Sequence, residues 1–309
     1  MILVTGGGGL IGRQVCGLLA AHDYEVVAVD RNRITGLPCQ TVQGDLTSQA
    51  FLDELFRSYS FTAIVHLASL LNTASQKQPQ EAMRVNIGGS LGLLEAAVQA
   101  QIPKFIYGSS ISAYGSKPYA QYGEVAESEP ASPESVYGLC KRYVEIVGES
   151  YRQKYGMQFV ALRIASVISP GVMQTASPWR YEIFEKLKVN RPAPINFPYQ
   201  ASQRFPLIYV DDVAELIRSF VAETRITYTI YNTPAENWRF GELAAYIQTL
   251  NSSIEFTYGL TPVSGLPEAI NGSRFSNEFG FSPIPVKERL RRFLEEGSNQ
   301  PSLAHHLLL

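Results

Sequence analysis

The chain has few of the residues that hold metals or cross-links: three cysteines and four histidines among 309 residues. Cys16, Cys39 and Cys140 stand far apart in the sequence. They show neither the paired spacing of a metal site nor a disulfide framework, so a reduced chain with no metal centre is expected. An excess of one charge is also missing. With 26 Lys and Arg against 28 Asp and Glu, the net charge is −2 and the pI about 6.1. That balance excludes the electrostatic footprint of a nucleic-acid or anionic-membrane binder. No stretch of about 18 uninterrupted apolar residues occurs, so no membrane span is expected. The opening MILVTGGGGLIG lacks a basic flank and its apolar run is broken by glycines, so it does not read as a signal peptide. The expected location is cytoplasmic. Internal repeats and long low-complexity segments are absent too, and residues 304–309 read as a frayed tail.

What is present is an ordinary globular composition, 45% hydrophobic and 17% charged. Short apolar runs at residues 2–4, 25–29, 63–67, 104–107 and 159–164 read as buried parallel strands. Helical patterns at 11–21, 49–59, 81–100 and 136–155 separate them. This alternation predicts a doubly wound parallel α/β sheet. After about residue 168 prolines interrupt the pattern, leaving a helix near 179–188, a strand and helix over 207–222, and a final helix near 286–296. The expected division is a dinucleotide-binding domain over 1–168 and a smaller, discontinuous substrate lobe over 169–309. Residues 207–222 are expected to return to the large sheet. Such sheets bind ligands at the C-terminal edge of their strands, which the lobe would cover.

Two constellations carry chemistry. Thr5-Gly6-Gly7-Gly8-Gly9-Leu10-Ile11-Gly12 follows the first strand and opens the first helix. Gly6, Gly9 and Gly12 there suit a tight turn, a backbone approach to pyrophosphate, and close helix–strand packing. The helix start favours the negative charge. Asp30 closes the second strand 18 residues after Gly12. Its carboxylate suits the ribose hydroxyls of NAD and repels the 2′-phosphate of NADP, although Arg31 and Arg33 stand nearby. Asp45, in Gly44-Asp45-Leu46, suits either the adenine edge or the cap of the helix near Gln49. The second constellation is Tyr137 and Lys141, which a four-residue spacing brings to one helix face. An ammonium near the phenol would lower its pKa toward neutrality and fit it for general acid–base work. Ser110, at the end of the strand over 104–107, would sit at the same edge and reach the reacting oxygen.

Taken in order, these residues resemble the extended short-chain dehydrogenases/reductases, the NAD-dependent epimerase/dehydratase group with its Rossmann domain. The likeness continues through His66-Leu67-Ala68, Val85-Asn86, Tyr114-Gly115, Leu162-Arg163, residues 210–214 and Tyr231-Asn232, and so covers nearly the whole chain. It implies Ser110, Tyr137 and Lys141 as the catalytic trio. It also implies NAD held by Gly6, Gly9, Leu10, Ile11, Gly12, Asp30, Asp45, Leu46, Leu67, Ala68, Asn86, Tyr137 and Lys141. A homodimer through the helices at 81–100 and 136–155 is implied as well. His66 reads as a packed residue, and Asp211 and Asp212 as caps of the helix they precede.

The reaction is less legible. Ile111 and Ser112 stand where sugar-nucleotide 4,6-dehydratases place an acidic pair, which argues against dehydration by that route. Arg204 could clamp a substrate phosphate or be a surface arginine. Residues 66–71 and 181–184 resemble the bacterial threonine 3-dehydrogenase branch, with Ser69 in that likeness. Residues 174–180 lack that branch's carboxylate, and Arg180 offers a positive charge suited to an acidic or phosphorylated small molecule. Ser69, Ser112, Arg180 and Arg204 are therefore the candidate substrate contacts. Three readings stand: an NAD-retaining epimerase of a sugar or sugar-nucleotide derivative, a dehydrogenase of a small hydroxy compound releasing NADH, and a non-catalytic NAD-binding protein.

Overall fold

A computed structural model describes residues 1–116, 123–171, 177–189 and 191–297. The tail at 304–309 and residues 174–176 of the substrate-contact stretch lie outside them. The first half runs β1 (Ile2–Thr5), α1 (Leu10–Ala21), β2 (Val26–Asp30), β3 (Gln40–Gln43), α2 (Gln49–Ser58) and β4 (Ala63–His66). Then come α3 (Asn72–Lys77) and α4 (Pro79–Ala82), which continues through a π-helical stretch, Met83–Gly89, into α5 (Ser90–Gln99). β5 (Lys104–Ser110), α6 (Val136–Tyr155) and β6 (Gln158–Ile164) follow. The second half holds β7 (Ser166–Ile168), α7 (Trp179–Leu187), β8 (Ile195–Tyr199), β9 (Arg204–Tyr209), α8 (Val210–Ala222), β10 (Ile230–Asn232), β11 (Glu236–Arg239), α9 (Phe240–Leu250), β12 (Phe256–Thr261), α10 (Ser273–Phe279) and α11 (Val286–Gly297).

Seven parallel strands form the central sheet in the order β10-β6-β5-β4-β1-β2-β3. The expected doubly wound architecture is what the chain adopts. Because alternate strand residues face opposite ways, the sheet divides the core in two. Val4, Ala28, Val65 and Ile106 pack under α1 and α8, while Leu3, Val27, Ile64 and Phe105 pack under α2, α5 and α6. The strand order reverses between β1 and β4, the position at whose C-terminal strand ends sheets of this kind bind their ligands. Strand β3, with exposed glutamines at both ends and Val42 half-buried, precedes Gly44-Asp45-Leu46 and was not among the strands bounded from the sequence.

Residues 207–222 do not return to the large sheet as expected. β9 pairs instead with β7 and β11 in a separate three-stranded sheet, and only α8 lies on the large sheet, beside α1. The strand that re-enters is β10, which pairs with β6. After β6 the chain turns out at Ala165, whose N–H donates to Thr233 Oγ1 at 3.1 Å, and this leaves the β6 edge for a later segment. Asp211 and Asp212 differ from expectation as well. They sit in the first turn of α8, favourable to its dipole, but the N-cap is Tyr209 with no side-chain bond. Their carboxylates reach Arg289 instead, at 3.3 and 2.7 Å. Cys16, midway along α1, and Cys39, distant in sequence, are hydrogen-bonded to each other, and all three cysteines are free.

Candidate active site

The turn between β1 and α1 is closed by contacts that leave no room for side chains. Gly6 has φ +69°, and a Cβ there would lie 2.6 Å from Ala68 N; at Gly12 it would lie 2.1 Å from the Gly6 carbonyl. Gly9 is the N-cap of α1, with no side-chain cap and no acidic residue in the first turn, where Leu10 and Ile11 follow. The first backbone N–H groups of α1 therefore keep their capacity for an anion. Asp30 ends β2 against this turn: Oδ2 accepts from Gly8 N at 3.1 Å and Oδ1 from Asn32 N at 3.0 Å. A glycine turn at a helix start with a fixed carboxylate beside it fits a dinucleotide bearing free ribose hydroxyls. Asp45 is not the cap of α2; Ser48 is, accepting from Phe51 N at 3.3 Å. Asp45 instead accepts from the Thr47 N–H and hydroxyl, which hold its carboxyl below the usual range, and lies 3.7 Å from Arg84. Leu46 packs against Gly89 of the π-helical stretch, and Leu67 against Gly108 of β5.

The second constellation lies at the C-terminal end of β5. Ser135 caps α6 by accepting from Gly138 N at 3.0 Å. Gly138 lets the helix start press on the strand end, since a Cβ there would lie 2.3 Å from the Ser112 carbonyl. This docking brings together Ser110, Tyr137 and Lys141. The Ser110 and Ser69 hydroxyls hydrogen-bond the Tyr137 phenol, and the Arg180 charge acts on it. Ser110 Oγ also accepts from Ser112 N at 3.2 Å and lies 3.3 Å from Ser112 Oγ. Lys141, 2% exposed, donates to the Gly108 carbonyl at 2.7 Å, and its Nζ lies 5.4 Å from the Tyr137 ring centre.

The phenol does not titrate as expected. Burial pushes Tyr137 up to about 12, with Ser110, Ser69 and Arg180 only opposing that rise, and burial pushes Lys141 down to about 7. Removal from water outweighs the pairing. At neutral pH Tyr137 is a proton donor, and Lys141 is an ammonium close to losing its charge.

Around this centre the predicted contacts divide. Asn86, in the π-helical stretch, accepts from Leu70 N at 2.7 Å and donates to Leu70 O at 2.9 Å, so it clamps the loop that carries Ser69. Arg180, in the first turn of α7, faces both Tyr137 and Tyr199. Arg204 opens β9 opposite Arg239 and has no ion pair among the described residues. The structure thus brings Ser69 and Arg180 to the phenol and Ser112 only to Ser110, and Arg180 is the guanidinium that acts on the phenol. His66 is packed, hydrogen-bonded through both ring nitrogens, and pushed by burial down to about 3. Sequence reading missed a buried support. Glu145 accepts from Ser109 at 2.6 Å and from Arg163 Nε and Nη2 at 2.9 and 2.7 Å, tying α6 to β5 and β6. The signal was available: Tyr137, Lys141 and Glu145 continue one four-residue stripe.

Comparison with known proteins bears on this geometry. The sequence model described as the NAD dependent epimerase/dehydratase family matches residues 2–233. UDP-glucose 4-epimerase of Yersinia pestis is 34% identical over 158 residues, covering 47% of this chain and 46% of that protein. The chain spans about half the length of most of the curated relatives it matches. Among solved structures, an L-threonine dehydrogenase of Cupriavidus necator in its holo form superposes with a TM-score of 0.85 at 21% identity, covering 95% of this chain and 98% of that one. UDP-glucose 4-epimerase of Thermus thermophilus, solved with NAD, gives 0.79 at 24% identity, covering 97% and 99%. At such identities the superpositions show the fold.

Proposed function

Because the chain belongs to the NAD dependent epimerase/dehydratase family, we propose that it is an enzyme moving a hydride between NAD and a hydroxyl-bearing carbon of a sugar or sugar-nucleotide derivative. The observation that carries this reading is the meeting of Ser110, Tyr137 and Lys141 beside the glycine turn, at one edge of the sheet. Gly6, Gly9, Gly12 and the opening residues of α1 would hold the pyrophosphate, and Asp30 the ribose. Bound NAD would supply the acceptor and donor of the hydride. Tyr137, protonated at neutral pH, donates its proton to a carbonyl oxygen in the reducing direction and accepts one as phenolate in the oxidising direction. Ser110 holds the reacting oxygen by hydrogen bond, and Lys141 stabilises the phenolate when charged. Ile111 and Ser112 offer no acid for expelling water, which supports hydride transfer without dehydration. A second copy of the chain would cover the exposed apolar face of Met83, Leu139, Tyr143 and Ile146.

The test is to purify the protein, desalt it, denature it and identify the released nucleotide. Near-stoichiometric NAD supports an epimerase that recycles its hydride. An empty site that takes up added NAD supports the dehydrogenase alternative. Tyr137→Phe is expected to lower turnover by about 10²–10⁴-fold while NAD binding persists. Turnover unchanged in that variant overturns the assignment of Tyr137.

A further inference from the structure

Beneath the proposed nicotinamide end, four buried polar residues are joined in a ring of hydrogen bonds that the catalytic chemistry does not use. Thr5 Oγ1 lies 2.6 Å from His66 Nδ1, and His66 Nε2 lies 2.8 Å from Ser90 Oγ. Ser90 Oγ donates to the Asn86 carbonyl at 2.7 Å. Ala68 N donates to Thr5 Oγ1 at 3.5 Å, and the Asn86 side chain grips both backbone groups of Leu70. Thr5, His66, Asn86 and Ser90 are all at most 1% exposed. The ring therefore starts and ends on the loop after β4, on either side of Ser69.

The directions of these bonds are not free. A carbonyl only accepts, so the single hydroxyl proton of Ser90 is committed to Asn86. Toward His66, Ser90 must then accept, which requires a proton on Nε2. Nδ1 is left bare and takes the Thr5 hydroxyl proton, and Thr5 in turn accepts from Ala68. One tautomer satisfies every member. The imidazolium would turn Nδ1 into a donor and leave the Thr5 hydroxyl proton without its acceptor in the ring, and a neutral ring protonated at Nδ1 would leave Nε2 facing a hydroxyl with no proton to give. Burial and the Lys141 charge both oppose the imidazolium, and the Phe105 and Tyr107 rings pack beside it.

We propose that His66 is a positioning residue: protonated at Nε2 alone, it closes a ring that fixes the loop of Leu67, Ala68 and Ser69 between the glycine turn and the Tyr137 phenol, and so sets the fit of the nicotinamide half of the dinucleotide. The ring itself stands on geometry alone; its effect on the cofactor rests on the NAD reading above.

Two measurements decide it. Nitrogen NMR of histidine-labelled protein is expected to show one imidazole bearing its proton on Nε2 and unchanged from about pH 5.5 to 8.5, where an ordinary histidine titrates. His66→Phe, which removes that signal, assigns it; a His66 that titrates, or that carries its proton on Nδ1, overturns the ring. Calorimetry then compares NAD with ADP-ribose, which lacks the nicotinamide. His66→Phe is expected to weaken NAD about tenfold, as for one or two lost hydrogen bonds, and ADP-ribose less than about twofold. Ser90→Ala is expected to shift affinity in the same direction and serves if the phenylalanine variant does not fold. Equal losses for both ligands, or none, overturn the positioning role. A wild-type protein that binds neither ligand overturns the NAD reading instead, and the NMR result still decides the ring.

Discussion

Lys141 shows how far burial governs single side chains in this site. Its pKa falls from 10.5 to about 7 in the fold, because burial outweighs the pull of Cys140 and Glu145. The unfolded chain then binds more protons between about pH 7 and 10.5, so this residue costs stability below that window and the cost fades as pH rises through it. Lys141→Met is therefore expected to be more stable than the wild type near pH 6.5 and to lose that advantage near pH 10, read from urea midpoints at each pH. Arg180 makes a second case. Its guanidinium faces Tyr137 and Tyr199, so Arg180→Ala is expected to raise KM for acidic or phosphorylated substrates about tenfold or more, with kcat less affected. An unchanged KM would remove it from the substrate site. The candidate residues were legible in the sequence because the proposed chemistry requires their types and spacings. Their charge states were not, since desolvation depends on what the fold places around them, and the expected lowering of the Tyr137 pKa was reversed for that reason.

Among the elements, α6 positions the most chemistry, and its placement rests on polar burial as well as on apolar packing. Glu145 is buried between Ser109 and Arg163, with Arg142 adding a bond at 3.1 Å from its partly exposed side. Removing the carboxylate leaves the Arg163 guanidinium, 1% exposed, without its counter-charge. Glu145→Ala is expected to cost about 3–5 kcal/mol, measured by urea unfolding, with Glu145→Gln costing less because it keeps an acceptor for Ser109. The ends of α6 agree with the expected 136–155, and the structure shows why: Ser135 caps the start and Gly156, in the left-handed conformation at φ 71°, closes the end. The π-helical stretch was not. Residues 81–100 carry an unbroken helical pattern, and the wider turn around Asn86 depends on its tertiary clamp on Leu70 rather than on local propensity. Strand β10 escaped for a related reason: three residues are too few to display a period, and only the open β6 edge selects them.

For the whole molecule, Leu139, Tyr143 and Ile146 repeat along one face of α6 and are 54%, 46% and 52% exposed, with Met83 of the adjoining π-helical stretch at 57%. If a second copy covers this face, Ile146→Glu is expected to yield a monomer in analytical ultracentrifugation while the thermal transition of each subunit remains cooperative. A wild-type protein that sediments as a monomer would refute the dimer. The sequence predicted the doubly wound plan because strand and helix periods survive without context, but it misassigned where the second half rejoins the sheet. That late return of β10 bears on how the chain is born. Asn232, the last residue of β10, is fully buried, and its side chain accepts from Tyr114 at 2.9 Å and donates to the Val125 and Asn271 carbonyls at 3.0 Å each. At about 5–20 residues per second, the ribosome needs several seconds to pass from β6 to β10. During that interval the nascent sheet keeps a bare edge at β6, and the Asn232 acceptor of the Tyr114 hydroxyl is still to come. A truncation just before residue 230, which leaves the β6 edge bare, is expected to aggregate where the full chain does not.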